Sequence, residues 1–175
     1  YFMVDHWHPE YEIIRINKGT FPFKVNGHQY VGQPGDFFIV QDGALHGGVP
    51  QRCHYECIVF NLHTIAELNP LCVQLIQPVL FGGSQFSEHI SEPNKRLKQA
   101  GDALFSSFAM DNENSPYFTI GAIFTFVGAL LEGYTERRTL KPQEAELRRL
   151  ARIKDVLRLI RNHYHEEITL DDMAT

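Results

Sequence analysis

The first 65 residues alternate short apolar runs with turn-forming residues, and this spacing constrains the fold more than any other feature of the chain. Phe21, Phe23 and Val25 are separated by single residues, which gives a strand with one apolar face. Asn26-Gly27 then predicts a two-residue hairpin, because both central residues of that turn need positive φ. Further strands are predicted at Glu12–Asn17, Phe37–Val40 and Tyr55–Leu62, with turns at Lys18-Gly19 and Pro34-Gly35-Asp36. Many short strands at this spacing predict a β-sandwich or barrel.

From about residue 93 the apolar period becomes helical, so the expected fold class is α+β, a β-sandwich or barrel followed by C-terminal helices. One helix is marked by a stripe of Leu97, Gly101, Leu104, Phe105 and Phe108. A second is predicted over residues 115–134, with Ser115 as its N-cap and Pro116 in its first turn. A third covers roughly residues 143–164, and Thr169 is the predicted N-cap of a fourth.

Residues 117–131 have no charged side chain and could be mistaken for a membrane span. Fifteen residues fall short of the ~20 that cross a bilayer, so no membrane partner is expected. A helix that is apolar nearly all round is buried on two sides. This predicts a subunit interface and therefore a homodimer; packing within the domain is the alternative.

The charge distribution indicates a division of the chain into two regions, and the cysteine content indicates the cellular compartment. The formal balance is 16 − 21 = −5, yet residues 137–161 carry nine basic and three acidic residues. This asymmetry suggests two functional regions, with the basic one near the C-terminus; a solvated helix face is the alternative. The three cysteines are an odd number and no signal peptide is visible, which predicts a cytoplasmic protein.

The segment HWHPEYE, residues 6–12, carries the strongest chemical signal. Alternate residues of a strand share a face, so His6, His8 and Glu12 are predicted to point the same way. Two imidazoles about 7 Å apart along a strand can converge on one ion, and a carboxylate adds a hard ligand. His46 is the fourth candidate. Together these residues are the predicted ligand-binding and metal site, suited to one divalent Zn, Fe, Mn or Ni ion.

These residues also resemble the two motifs of the cupin family. His6, His8, Glu12 and Gly19 have the spacing of the first motif, and Gly35, Gln41-Asp42-Gly43 and His46 resemble the second. The chain departs from the family where Gln41 and Pro50 replace its usual proline and asparagine. The resemblance implies a cupin-type jelly-roll barrel with its site in the mouth.

The C-terminal segment resembles a different family. Residues 152–174 are similar to the opening of the AraC/XylS-type DNA-binding region, with Ile168, Thr169, Leu170, Met173 and Ala174 in its pattern. The order of the two motifs is that of an AraC-family transcription regulator. It implies an effector-binding barrel at residues 1–92, a helical dimerisation region and linker at 93–142, and at 143–175 a linker helix with a truncated start of the helix-turn-helix domain.

The predicted function is effector sensing and dimerisation in a bacterial transcription regulator, without enzymatic activity. The effector is expected to be a small polar molecule such as a sugar, and DNA is expected to be bound only through a further C-terminal domain. The alternative is a metal-dependent cupin enzyme, a dioxygenase or sugar isomerase, that uses the same residues. Three interpretations of the four residues stay open: a metal site, a metal-free ligand site, or side chains that only satisfy one another.

Overall fold

The structure, a computed structural model, describes residues 2–137 and residue 165. Nine strands lie in this described part: β1 (Met3–His6), β2 (Tyr11–Val25), β3 (His28–Gly32), β4 (Phe37–Val40), β5 (His46–Gly48), β6 (Gln51–Phe60), β7 (Ser84–Phe86), β8 (His89–Ile90) and β9 (Thr135–Arg137). The four helices there are α1 (Leu62–Glu67), α2 (Pro70–Leu80), α3 (Lys95–Phe108) and α4 (Ser115–Gly133). The predicted helices over 143–164 and from Thr169 lie outside the described residues.

The long strand β2 organises two antiparallel sheets. Its first half pairs with β4 and β6, and its second half pairs with β3 and β5. The strand β1 extends one sheet by pairing with β5, and β8 extends the other by pairing with β4. Because β2 belongs to both sheets, their inner faces pack against each other as a sandwich. Strands followed by helices confirm the predicted α+β class.

A bend in β2 lies where the sequence predicts a turn, and that prediction is wrong. The strand continues through Lys18-Gly19, while its register with β6 shifts on both sides of Lys18. Gly19 has a φ of 75°, and a Cβ atom there would collide with the backbone carbonyl of Arg52. Glycine therefore allows a bulge that turns β2 from one sheet into the other without ending it.

Two apolar clusters follow from the alternation of side chains along β2. Ile14 and Ile16 point into the sandwich and pack there with Phe21, Phe23 and Val25. Tyr11 and Ile13 point the other way and pack under the helices, in a cluster that also contains Phe37, Ile39, Leu97, Leu104 and Phe126. One sheet is thus apolar on both faces, which explains why the strand Phe37–Val40 has no polar residue.

The helix α3 confirms the predicted stripe at Leu97, Gly101, Leu104 and Phe105, which are all buried, but its fifth predicted member, Phe108, is 54% exposed at the end of the helix. In α4 the predicted cap is wrong by one residue: Asn114 is the N-cap and Ser115 is the first helical residue. By length and apolar composition α4 would suffice to cross a membrane. One of its faces packs in the helical cluster through residues that include Ile123, Phe126 and Leu130. Packing within the domain thus accounts for one face of this helix.

The helices α1 and α2 were not predicted, although their N-caps are visible in the sequence. Asn61 accepts a hydrogen bond from the Thr64 amide, and Asn69 accepts one from the Leu71 amide ahead of Pro70. The strand predicted to end at Leu62 stops at Phe60. Helices of six and eleven residues are too short to show a clear helical period of apolar residues.

Candidate functional site

The four predicted site residues meet at one end of the sandwich, which we call the cup. His6 ends β1, His8 lies in the β1–β2 connection, Glu12 is on β2 and His46 starts β5. One ligand atom from each residue lies within 4.8 Å of the ligand atoms of the other three. The convergence is confirmed, but the strand parity used to predict it is wrong for His8, which is outside any strand. Strand pairing brings the groups together instead, since His6 is the cross-strand partner of His46.

All three imidazoles are held by the same kind of contact. The Nδ1 atoms of His6, His8 and His46 lie 2.8, 3.0 and 2.8 Å from the backbone carbonyls of Val4, Glu10 and Ala44, respectively. A carbonyl oxygen only accepts, so each Nδ1 carries the hydrogen and donates it. In the neutral ring this places the lone pair on Nε2. Metal-bound histidines are oriented in this way by backbone carbonyls.

The inward nitrogens meet a carboxylate. Nε2 of His46 lies 3.1 Å from Oε2 of Glu12, and Nε2 of His8 lies 3.3 Å from the same oxygen. Glu12 and His46 are both buried, at 3% and 0% exposure. Neutral rings would present lone pairs to a negatively charged oxygen. The arrangement is therefore favourable only when a proton or another cation lies between them.

The titration of the pair follows from this geometry. Burial alone would lower the pKa of His46, but the hydrogen bond with Glu12 and the Ala44 carbonyl outweigh it, so the pKa is raised above 6.5. Burial alone would raise the pKa of Glu12, yet contacts with His46 and His8 lower it below 4.5. In the metal-free protein both pKa shifts favour the charged forms, a carboxylate and an imidazolium with the proton between them.

The donor set fits a divalent transition-metal ion. Three imidazole nitrogens and one carboxylate oxygen are ligands of Zn, Fe(II), Mn and Ni, and an ion here would replace the proton that His46 otherwise holds. His6 is exposed and His46 is fully buried, so the cup is closed at its base and open at His6. An ion held by these side chains would keep coordination positions toward solvent.

The strand β6 contributes a wall of the cup that no sequence pattern predicts. Val59 is the cross-strand partner of Glu12, and Cys57 is the partner of Ile14, so both side chains share the inner face with Glu12. Both are exposed at the open side. Partial desolvation of the thiol and the neighbouring Glu12 carboxylate raise the pKa of Cys57 to about 11, so the thiol is protonated at neutral pH. Only the register of β6 against β2 reveals this proximity.

A second buried carboxylate, Glu88, lies in the segment between β7 and β8. It accepts hydrogen bonds from Tyr30 Oη at 2.8 Å and Asn26 Nδ2 at 3.3 Å, and its Oε2 lies 3.0 Å from His28 Nδ1. Burial and this carboxylate raise the pKa of Tyr30 to about 12. Sequence spacing offered no sign of the cluster, because Glu88 is about 60 residues from its partners. The nearby His89 likewise pairs with Asp36, at 2.9 Å.

The family of this chain follows from comparison with known proteins. Residues 1–122 match the sequence model of the AraC-like ligand binding domain, and the chain belongs to this family. The predicted family is therefore confirmed, and the cup is a site in a ligand-binding domain.

Relatives with curated names are transcription regulators. The chain is 25% identical over 182 residues to the uncharacterized HTH-type transcriptional regulator YdeC of Bacillus subtilis (strain 168), covering 97% of this chain and 59% of that protein. It is 22% identical over 174 residues to the uncharacterized HTH-type transcriptional regulator YdiP of Escherichia coli (strain K12), covering 94% and 53%. The chain thus spans little more than half the length of these relatives.

Solved structures show the same fold at low identity. The AraC-like transcriptional activator CuxR aligns with a TM-score of 0.55 and 12% identity over 95% of this chain and 55% of its own. ToxT from Vibrio cholerae aligns with a TM-score of 0.53 and 9% identity over 98% of this chain and 64% of its own. Both likenesses extend over nearly the full chain.

Proposed function

We propose that this chain is the effector-sensing and dimerisation part of a cytoplasmic transcription regulator, and that its effector binds in the cup over a divalent metal ion. The observation that carries the proposal is the convergence of three carbonyl-anchored imidazoles on Glu12. This arrangement is favourable only with a proton or a metal ion between the groups, and the family match makes the domain a ligand-binding one. When bound, the ion would act as a Lewis acid that coordinates oxygen atoms of a ligand.

The effector that fits this site is a small polar molecule such as a sugar. His6 is exposed at the rim, while Val59 and Cys57 form an accessible wall opposite the ligand nitrogens. Sugar hydroxyls would donate and accept at the rim, and the CH faces would lie against Val59. We propose ligand sensing without turnover, since both named relatives are transcription regulators.

A hydrogen-bonded route supports transmission from the cup into the second carboxylate cluster. Leu45, next to His46, donates its amide to Asn26 Oδ1 at 3.2 Å, and Asn26 donates its own amide to the Leu45 carbonyl at 2.8 Å. The Asn26 side chain then donates to Glu88 at 3.3 Å. A shift of His46 on metal or effector binding would therefore be felt at Glu88.

The route continues to β9, from which the chain runs on into residues 138–175. Ser87, the neighbour of Glu88, donates its amide to the Tyr134 carbonyl at 2.9 Å and its hydroxyl to Glu136 at 2.9 Å. The strand β7 pairs with β9 beside these contacts. Binding in the cup can control a downstream helix-turn-helix domain, and through it DNA, only if affinity differs between two arrangements of such elements.

The homodimer proposed here uses the exposed face of α4. Tyr117 and Phe118 are 81% and 54% exposed, and added Cβ atoms at Gly121 and Gly128 would meet nothing within 4 Å. Large apolar side chains beside small residues let two helices approach closely. We expect Phe118→Asp to give monomers in light scattering, while Phe108→Asp, equally exposed at 54% but on α3, keeps the dimer mass. Dimeric Phe118→Asp protein would exclude this face.

The metal part is tested on untagged, EDTA-stripped protein titrated calorimetrically with Zn²⁺, Fe²⁺, Mn²⁺ and Ni²⁺. We expect about one ion per chain for the wild type and loss of binding in His46→Gln. Occupancy far below one ion for all four metals would reject a metal site. The cup would then be left with direct hydrogen bonding to the effector.

The effector part is tested by thermal shift with a panel of sugars, with and without zinc. A ligand at 100 times its Kd stabilises the native state by about 2.7 kcal/mol, which raises the unfolding midpoint. The sugar should be recovered unchanged after long incubation with metal-loaded protein. Isomerised or oxygenated product would support the enzyme alternative and contradict a sensor.

A further inference from the structure

The thiol of Cys57 occupies a defined place beside the proposed metal ligands. In the antiparallel pairing of β2 with β6, Glu12 faces Val59 and Ile14 faces Cys57. Cys57 is therefore the diagonal neighbour of Glu12 on the inner face, a separation that a long side chain such as glutamate can bridge. The Glu12 carboxylate lies near enough to raise the pKa of the thiol.

Glu12 needs such a contact to keep its orientation. Both imidazole contacts of the carboxylate fall on one oxygen, Oε2, at 3.1 Å from His46 and 3.3 Å from His8. Two contacts on a single oxygen fix the position of Oε2 but do not by themselves fix the plane of the carboxylate. A third group that bonds the carboxylate from β6, on the opposite side of β2 from β4, removes this freedom.

Cys57 is not one of the ligands. Its sulfur is not among the four ligand atoms that lie within 4.8 Å of one another, although cysteines belong to the residue types that can form such a set. A thiol can nevertheless donate its S–H to a carboxylate. Groups that orient a ligand in this way are worth about 10–100-fold in metal affinity.

We propose that Cys57 is a positioning residue of the cup: its S–H group donates to Glu12 and holds the carboxylate where it meets the inward nitrogens of His8 and His46. This inference rests on the proposed metal site. It assigns the site a hydrogen-bond donor from β6, a strand that contributes no ligand.

The experiment compares zinc affinity in the wild type, Cys57→Ala and Cys57→Ser by calorimetry on the full chain. We expect Cys57→Ala to weaken zinc binding about 10-fold or more, and Cys57→Ser to stay within about 3-fold of the wild type, because a hydroxyl also donates. Cys53→Ala is the matched control. Cys53 lies on the same strand and face, four residues away, but packs against the apolar interior.

A second readout separates positioning from ligation. The Co²⁺-loaded wild type should show no sulfur-to-cobalt charge-transfer band in the near ultraviolet, and its spectrum should match that of Cys57→Ser. Such a band, or equal zinc affinities in Cys57→Ala and the wild type, would overturn the inference and leave the metal site standing. A wild type that binds neither ion would overturn the proposed site itself.

Discussion

Two buried carboxylates, Glu12 and Glu88, are linked by one hydrogen-bonded route and differ in how their negative charges are compensated. Glu88 accepts from an amide, a phenol and an imidazole, so its charge is compensated by groups that carry hydrogens. Glu12 faces two imidazole nitrogens that carry no hydrogen when the rings are neutral. The Glu88 cluster is complete by itself, whereas the Glu12 cluster needs a proton or a metal ion between its groups.

The comparison shows that burial and residue type do not separate a structural carboxylate from a functional one. Both clusters contain a glutamate below 10% exposure with histidine beside it. What distinguishes the two clusters is whether a backbone carbonyl accepts a hydrogen bond from Nδ1 of the histidine. Carbonyls hold Nδ1 of His8 and His46 and direct lone pairs inward, while His28 turns its Nδ1 to Glu88 itself.

The largest contrast is expected in metal affinity. Glu12→Gln removes the anionic ligand, so zinc binding should weaken about 100-fold, which corresponds to about 2.7 kcal/mol. Glu88→Gln should leave the zinc affinity within about 2-fold of the wild type, because Glu88 bonds groups that already carry hydrogens. Calorimetric titrations of the two variants check this. Equal losses in both would erase the distinction between the clusters.

In the metal-free protein, Glu88→Gln should lower the free energy of unfolding more than Glu12→Gln does. Glu88→Gln places an amide against the Asn26 amide and weakens the bonds from Tyr30 and His28, at a cost of about 2 kcal/mol. Glu12→Gln should cost less than about 1 kcal/mol at a pH above the raised pKa of His46, because a glutamine can then donate to a neutral imidazole. Urea unfolding gives both values. A larger cost for Glu12→Gln would contradict a cation-dependent cup.

The pH dependence should also differ between the clusters. The pKa of His46 is raised above 6.5, so its contribution to metal-free stability is full below pH 6.5 and is lost as pH rises through the raised value. The pKa of Glu12 is lowered below 4.5, so its contribution is present above pH 4.5 and is lost as pH falls through the lowered value. The stabilisation should therefore be fullest between about pH 4.5 and 6.5. Tyr30, with a pKa raised to about 12, affects stability only in strong alkali.

Thermal unfolding against pH checks this for the wild type and His46→Gln. The difference between their midpoints should shrink as pH rises above 6.5. Zinc affinity should change in the opposite direction, since the ion displaces the His46 proton and binds more tightly at higher pH. A midpoint difference that grows with pH would mean that His46 is neutral in the metal-free protein.

The smallest effect is expected from cutting the link between the clusters. Asn26→Gly removes both side-chain bonds, and glycine accepts the φ of 49° found at this position. Zinc binding should stay within about 3-fold, since Asn26 touches no ligand directly. In the wild type, zinc should slow hydrogen exchange in residues 84–90, and in the variant it should not. If zinc slows hydrogen exchange in these residues of the variant as well, the coupling between the cup and residues 84–90 does not pass through Asn26.

Much of this molecule is predictable from local sequence because local physics decides it. The alternation of Phe21, Phe23 and Val25 predicts an inner face that the structure confirms, and the stripe from Leu97 predicts α3. The four donors of the cup were also identified from spacing. Lys18-Gly19 predicts a turn where the structure has a bulge, because a glycine with positive φ serves both and only the pairing with β6 distinguishes them.

By itself the sequence determined the chemical types of the site: three imidazoles, a carboxylate, and strands short enough to bring them near one another. Only the tertiary structure decided how these groups are used. The register of β6 against β2 placed Cys57 beside Glu12. Tertiary contacts between segments about 60 residues apart placed Glu88 against Asn26, His28 and Tyr30. Backbone carbonyls chose the nitrogen that each imidazole directs inward. Such contacts join residues that are far apart in the chain or depend on the path of the backbone, and no local pattern of side chains encodes them.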